Sequence, residues 1–308
     1  MLAMRPAHTR NAIGFVAAGL LILGVISGAV ADDSSSSDAM RRIRPPEFSN
    51  PERVTIVGYD DNAMEPFITR DGTHLFFNSS NAPFVNTNLF QADRIDDLTF
   101  QFVGEIGGVN SAALDAVASM DRDNNFFFVS TRSYAVTAST IYQGVFADGD
   151  VADVGLAPGG SLQQPGIVDF DAEISADGST LYFAEGRFIP SSPIPQTARI
   201  LIANRTESGF VRSGNSNRIM RLINTKALNY APDTSASQLE IFFTRLNRRG
   251  PAIYTASRSS TSKPFGKPRR IRAITGFAEA PSLSPDGKSL YYHKNEGGIF
   301  VIYRVTRP

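Results

Sequence analysis

One pattern recurs five times in this 308-residue chain, and it limits the fold more than any composition figure. Its clearest copy is residues 279–292, EAPSLSPDGKSLYY. Ser282-Leu283-Ser284 alternates polar and apolar, as a half-buried strand does. Asp286-Gly287 marks a hairpin turn, because Gly takes the positive φ that primed turns require. Leu290-Tyr291-Tyr292 resumes with strand-favouring residues. With Asp286 as anchor, Asp71-Gly72 aligns ahead of Leu75-Phe76-Phe77, and Asp177-Gly178 ahead of Leu181-Tyr182-Phe183. Two copies are worn. Asp123-Asn124 precedes Phe127-Phe128-Val129, with Asn as the residue that tolerates the left-handed region. Ser237-Gln238 precedes Ile241-Phe242-Phe243.

No gap is needed in any copy. Three residues before the anchor stands Ile68, Met120, Ile174, Thr234 or Leu283, and five before it Pro66, Ala118, Ala172, Pro232 or Pro281. A second strand follows each hairpin, starting at Leu89, Ile141, Ile200, Ile253 and Ile302. Anchors at 71, 123, 177, 237 and 286 are spaced 52, 54, 60 and 49 residues apart. Periods of that size with about four strands each define a β-propeller rather than a sandwich of unrelated hairpins. No interval holds two blades of roughly 40 residues each, so the count is five. The fold class read here is all-β, a five-bladed propeller over residues 48–308. After the last hairpin only residues 299–308 remain, one strand where two are needed. Residues 53–58, RVTIVG, precede the first hairpin and are expected to join the last blade as its outer strand, since an open ring leaves unpaired edges. The aromatic-rich middle strands are expected to be buried on both sides.

SLSPDGKSLYY and ISADGSTLYF resemble the WD40-like repeat of the TolB type. Residues 253–268, IYTASRSSTSKPFGKP, resemble the linker between such repeats in secreted five-repeat bacterial proteins. The likeness covers roughly residues 48–308 and implies the fold. It is nearly silent on function, because such blades host enzymes, binding modules and scaffolds alike.

Residues 1–31 read as a signal peptide. Arg5 and Arg10 give the charged start, residues 12–26 the apolar run, and Ala29-Val30-Ala31 the small-x-small site before Asp32. The run is also just long enough for an uncleaved anchor; cleavage after Ala31 is the reading taken, with no membrane span in the mature chain. Residues 32–47, rich in Ser, Arg and Pro, read as a disordered linker, and Arg41, Arg42 and Arg44 as solvated within it. The chain has no Cys, which excludes a lipoprotein and any disulfide. A periplasmic or secreted monomer follows as the expectation.

Loss of Arg5 and Arg10 with the leader leaves 28 Lys and Arg against 30 Asp and Glu. No aromatic-laced basic patch stands out, so nucleic acid is not expected as a partner. Only His74 and His293 survive export, without metal-ligand spacing, so neither a zinc site nor any cofactor is expected. No G-x-S-x-G elbow is present. Asp121-Arg122-Asp123 and Asp148-Gly149-Asp150 lack EF-hand spacing and read as solvated turns.

The acids before the anchors are more interesting. Glu65, Asp115, Asp169, Asp171 and Glu279, with Asp233, lead into the inner strands and are expected to ring one channel mouth, where carboxylates could hold a cation or a polyhydroxyl ligand. The plainer reading ties each to the next blade or to an arginine, with Arg132, Arg187 and Arg245 as partners. Glu173 and Asp233 share one register on adjacent inner strands, the others there being Phe67, Ser119 and Ser282. In an enzyme these two would be the catalytic pair, within roughly 10 Å, the upper range for an inverting glycosidase. Two functions follow: a non-catalytic module binding a protein or carbohydrate ligand in the cell envelope, or a five-bladed glycoside hydrolase or lyase.

Overall fold

The computed structural model describes residues 46–80, 87–189 and 192–308. The leader and most of the linker lie outside the described residues. Five small antiparallel sheets follow one another around a central axis. Two short strands come first, β1 (Ser49–Arg53) and β2 (Thr55–Val57). Blade 1 adds β3 (Met64–Ile68), β4 (His74–Asn78), β5 (Leu89–Arg94) and β6 (Thr99–Glu105). Blade 2 is β7 (Asp115–Met120), β8 (Asn125–Ser130), β9 (Ile141–Ala147) and β10 (Asp150–Leu156). Blade 3 is β11 (Ile167–Ile174), β12 (Thr180–Ile189), β13 (Ser192–Thr206) and β14 (Gly209–Arg212). Blade 4 is β15 (Leu228–Thr234), β16 (Glu240–Asn247), β17 (Gly250–Ser257) and the two-residue β18 (Arg269–Arg270). Blade 5 is β19 (Ala278–Leu283), β20 (Ser289–Glu296) and β21 (Ile299–Thr306).

An N-terminal strand closes the ring in the last blade, as expected, but the boundary differs. The strand that pairs with β21 is β1, in register Glu52↔Arg304 and Arg53↔Tyr303. The rest of the expected segment, β2, crosses to blade 1 and pairs in parallel with β6. Val54 bridges the two, its N–H donating to Ile302 O while Thr55 N–H donates to Leu98 O. The segment therefore staples blade 5 to blade 1 instead of extending one of them. Its alternation could not show this, because both halves carry strand-like residues. Phe48 is buried just ahead of β1, edge-on to Phe242 with ring centres 5.8 Å apart.

The middle strands are buried on both faces, as the aromatic density suggested. The core triplets of β4, β8, β12, β16 and β20 are at most 5% exposed. Blades stack through them: Phe76 of blade 1 meets Phe126 of blade 2 at 5.5 Å, edge to face. Truncating one such Phe to Ala costs about 3–5 kcal/mol.

The anchor turns are not the primed two-residue type. In blade 1 Gly72 N–H donates to Thr69 O at 2.8 Å, and Gly72 itself carries φ +77°. Asp71 holds the loop from within, accepting from Thr73 N–H at 3.0 Å. Asp177 and Asp286 accept in the same way from Ser179 and Lys288. The worn copies keep the geometry with other chemistry. Asn124 and Gln238 take φ +62° and +57°, and Ser237 Oγ replaces the aspartate as acceptor for Leu239 N–H. Where the third strand ends, an arginine returns to the same turn. Arg205, Arg258 and Arg307 donate Nε to Gly178 O, Gln238 O and Gly287 O at 2.6, 2.8 and 2.7 Å. Blade 2 has Phe146 at this place, and its N–H bonds Asn124 O.

Candidate functional site

All five inner strands bulge at one register, six residues before the anchor. Glu65, Val117, Asp171, Ala231 and Ala280 all adopt φ between +46° and +58°. None is a glycine, so each stores roughly 1–2 kcal/mol of backbone strain. The ring holds four of them through their N–H groups. His293 Nδ1 accepts from Glu65 at 2.9 Å, Asn78 Oδ1 from Val117 at 3.2 Å, and Thr244 Oγ1 from Ala280 at 3.0 Å. Those three acceptors sit at one register, seven residues after their own anchors. Blade 3 has Ala184 there, which cannot accept. Asp171 takes over and receives Ala231 N–H on Oδ2 at 2.9 Å.

A second set of latches lies two residues on, at the register of Glu173 and Asp233. Ser119, Glu173, Asp233 and Ser282 accept from the N–H of Ile174, Thr234, Leu283 and Ile68 of the next blade, at 3.0, 3.4, 3.0 and 3.1 Å. Phe67 cannot do this, and at that junction Arg70 donates Nε to Met120 O at 3.0 Å. Arg70 then reaches Glu173 Oε1 and Ile174 O, both at 2.7 Å, with its side chain only 9% exposed. Ser119 Oγ donates to the other Glu173 oxygen at 2.7 Å. Glu173 is thus saturated by Arg70, Ser119 and Thr234. Asp233, buried beside it, is pushed well above the usual carboxylate range, first by desolvation and then by the Glu173 charge.

The expected single ring of acids is not what forms. Glu65, Asp171, Glu173 and Asp233 line the channel pocket. Asp115, Asp169 and Glu279 turn away from it. They lie seven or eight residues before their anchors, upstream of the left-handed bulge. Asp115 pairs with Arg132 at 2.6 Å, the one arginine partner correctly read. Asp169 is gripped through both oxygens by Arg212 of β14, at 2.9 and 3.0 Å, and not by Arg187. Among the described residues Arg245 meets no acid; it donates to Asn229 Oδ1 and Ile223 O. Glu279 accepts from the Tyr230 hydroxyl and from His293 Nε2, the latter at 3.3 Å. With Nδ1 already accepting, His293 is the neutral tautomer carrying its proton on Nε2. Burial pushes Asp171 up to about 7 and Asp169 to about 6, Arg212 pulling against the latter.

At this register the channel lining, which includes Pro66, Ala118, Ala172, Pro232 and Pro281, leaves a cavity of about 30 Å³. That is room for about a water molecule. Among the described residues no group of three or more His, Asp or Glu is arranged to hold a metal ion.

A larger cavity of about 340 Å³ lies at the rim, between the outer strands of blades 4 and 5. Arg269, Arg270 and Arg272 line it from blade 4, and Arg307 and Phe48 from blade 5 and its lead-in. Arg307 is locked, forking onto Glu240 at 3.0 and 2.8 Å and lying 4.8 Å over the Phe48 ring. Sequence reading found no basic patch. The signal was an acid-free run: residues 241–278 carry nine Lys and Arg and no Asp or Glu.

Fold and site together define a closed five-bladed propeller with a small channel pocket and a basic groove on its rim. No protein-family model matches the chain, and no curated protein matches it. Solved structures do. A family 117 glycoside hydrolase from the marine bacterium Zobellia galactanivorans superposes with TM-score 0.56 at 8% identity, covering 85% of this chain and 90% of that one. An endo-arabinase from Bacteroides thetaiotaomicron gives 0.52 at 10% identity, over 83% and 97%. TolB from Acinetobacter baumannii gives 0.46 at 18% identity, over 80% of this chain and 54% of that one. The chain thus spans about half the length of the TolB it matches. At these identities the likeness shows the fold alone.

Proposed function

We propose that this chain is an exported, non-catalytic propeller that serves as a binding or scaffold module in the bacterial cell envelope, for a protein or carbohydrate ligand. The observation that carries the reading is that the carboxylates at the channel are used within the ring. The pocket these residues line measures about 30 Å³, too small for a sugar ring, and Asp171, Glu173 and Asp233 already accept blade-to-blade hydrogen bonds. A glycosidase needs two carboxyl groups open to one glycosidic bond. Glu173 and Asp233 face Arg70, Ser119 and backbone N–H groups instead. Function then falls to the rim, where loops on a rigid ring present groups to partners. Export and a periplasmic or secreted location rest on the leader, residues 1–31. Among the described residues no helix is long and apolar enough to cross a membrane.

The test is incubation of the purified mature protein with a broad polysaccharide panel, with released reducing ends as readout. No release is expected. Release by the wild type that Glu173→Gln abolishes, in a variant that still folds, overturns the proposal in favour of a hydrolase.

A further inference from the structure

We propose that the rim groove between blades 4 and 5 is a binding site for a phosphate monoester, with Arg270 and Arg272 as the residues that grip it. The proposal rests on reading the protein as a binding propeller and assigns that reading a ligand chemistry.

The groove's charge is not balanced from within. Four arginines and two glutamates, Glu47 and Glu240, line it. Arg307 is consumed by Glu240. Arg269 reaches Glu47 at 3.8 Å, with both side chains substantially exposed. Arg270 and Arg272 form no ion pair among the described residues, and both are exposed. Two unneutralised guanidinium groups in one concavity match a phosphate monoester, which carries about −1.5 to −2 near pH 7. Guanidinium is also the group whose planar fork suits phosphate oxygens. The volume, about 340 Å³, lies at the small end of ligand sites. It suits a compact phosphorylated group better than a polymer surface. The surroundings add rigidity: β18 is pinned to β17 through Tyr254↔Arg270 and Thr255↔Arg269, and Ile271 N–H bonds Ile253 O at 3.0 Å.

A plainer account exists. Charged residues on a short edge strand keep sheets from pairing edge to edge. That explains a charge or two on β18. It does not explain why Arg272, beyond the strand, joins them around a hollow completed by the neighbouring blade.

The experiment is calorimetric titration of the mature protein with inorganic phosphate and with glucose 6-phosphate, glucose serving as the uncharged control. Vesicles containing phosphatidic acid form a parallel arm, against phosphatidylcholine alone. Saturable binding of the soluble phosphates or of the phosphatidic acid vesicles is expected, and the arm that binds identifies the source. Arg270→Gln and Arg272→Gln should each weaken binding about ten-fold or more. Neither should move the ligand-free melting temperature, since both side chains are exposed. Affinity should fall as pH drops through about 6, where the second phosphate proton returns while arginine stays charged. A carboxylate ligand would hold its affinity down to about pH 4. No binding in either arm, or equal affinity in wild type and both variants, overturns the site and leaves the binding-module reading standing. Polysaccharide hydrolysis would sink that reading while leaving the phosphate result intact.

Discussion

The two worn anchors should respond in opposite directions to the same repair. Asn124 and Gln238 both hold the left-handed conformation that Gly holds in the other blades, at φ +62° and +57°. A change to Gly relieves roughly 1–2 kcal/mol of strain, somewhat less for Asn. It gives back about 0.5–1 kcal/mol through the freer unfolded chain. At Asn124, exposed and with no side-chain bond among the described residues, the balance should be slightly favourable, about 0–1 kcal/mol. Gln238 has a second task. Its Oε1 accepts from the buried Tyr182 hydroxyl at 2.9 Å, while Tyr182 accepts from Arg258 at 2.7 Å. Its amide nitrogen also lies 3.4 Å from both Asp177 oxygens. Removing it leaves a buried hydroxyl proton without an acceptor, at about 1–3 kcal/mol. The net for Gln238→Gly is about 1–2 kcal/mol destabilising. Thermal unfolding followed by circular dichroism resolves this, since 1 kcal/mol moves a domain of this size by about 2–4 °C. Asn124→Gly should melt up to about 4 °C higher and Gln238→Gly about 2–8 °C lower. Equal shifts of one sign would show that turn strain alone governs both positions and that the Tyr182 contact contributes nothing.

Asp171, with its pKa raised to about 7 by burial, takes up a proton on folding between about pH 4 and 7. Its stabilising contribution is complete below about pH 4 and is lost as pH rises through about 7. Asp171→Asn keeps an acceptor for Ala231 N–H, so the variant should outlast wild type by about 1–3 kcal/mol at pH 8 and match it near pH 4; an unchanged pH–melting profile would refute this. Glu173→Gln strips the nearly buried Arg70 of its charge partner and should cost about 3–5 kcal/mol in denaturant titration, a loss below 1 kcal/mol marking the pair as dispensable. Deletion of residues 32–53 removes β1 and Phe48 and should lower the melting temperature markedly, whereas deletion of 32–45 should not; equal melting would deny the closing role of β1.

Much of the fold is readable because a propeller repeats its own evidence. Leu75, Phe127, Leu181, Ile241 and Leu290 each follow an anchor by four residues, and each is buried. The Ile302 alignment also held: Arg307 stands five residues after it, as Arg205 and Arg258 stand after Ile200 and Ile253, and clasps its turn as they do. What escaped was side-chain pairing between segments far apart in sequence. Arg212 lies 43 residues from Asp169 in the chain, and only the path of β14 brings them together. The five left-handed bulges occupy Glu, Val, Asp and Ala positions, where no glycine signals them. Counting from the anchor therefore did not separate Glu65 and Asp171, which line the channel pocket, from Asp115, Asp169 and Glu279, which do not. The basic groove joins residues 269–272 to Arg307, and its sequence trace is an absence of acids over a long run rather than a motif.

The closing strand also sets the order in which the molecule can be finished. Glu52 meets Arg304 across 252 residues, in the last strand of the chain. Blades 2, 3 and 4 are each built from contiguous sequence and can form as their residues become available. β1, though first to appear, must wait with its edge unpaired until β21 arrives. Loop closure over such a span is slow and comes late. A chain cut before residue 299 would hold four formed blades and no lock, with the flanks of blades 1 and 5 open to pairing with another copy. Completion of the ring is therefore coupled to the arrival of β21, the eight-residue strand on which β1 closes.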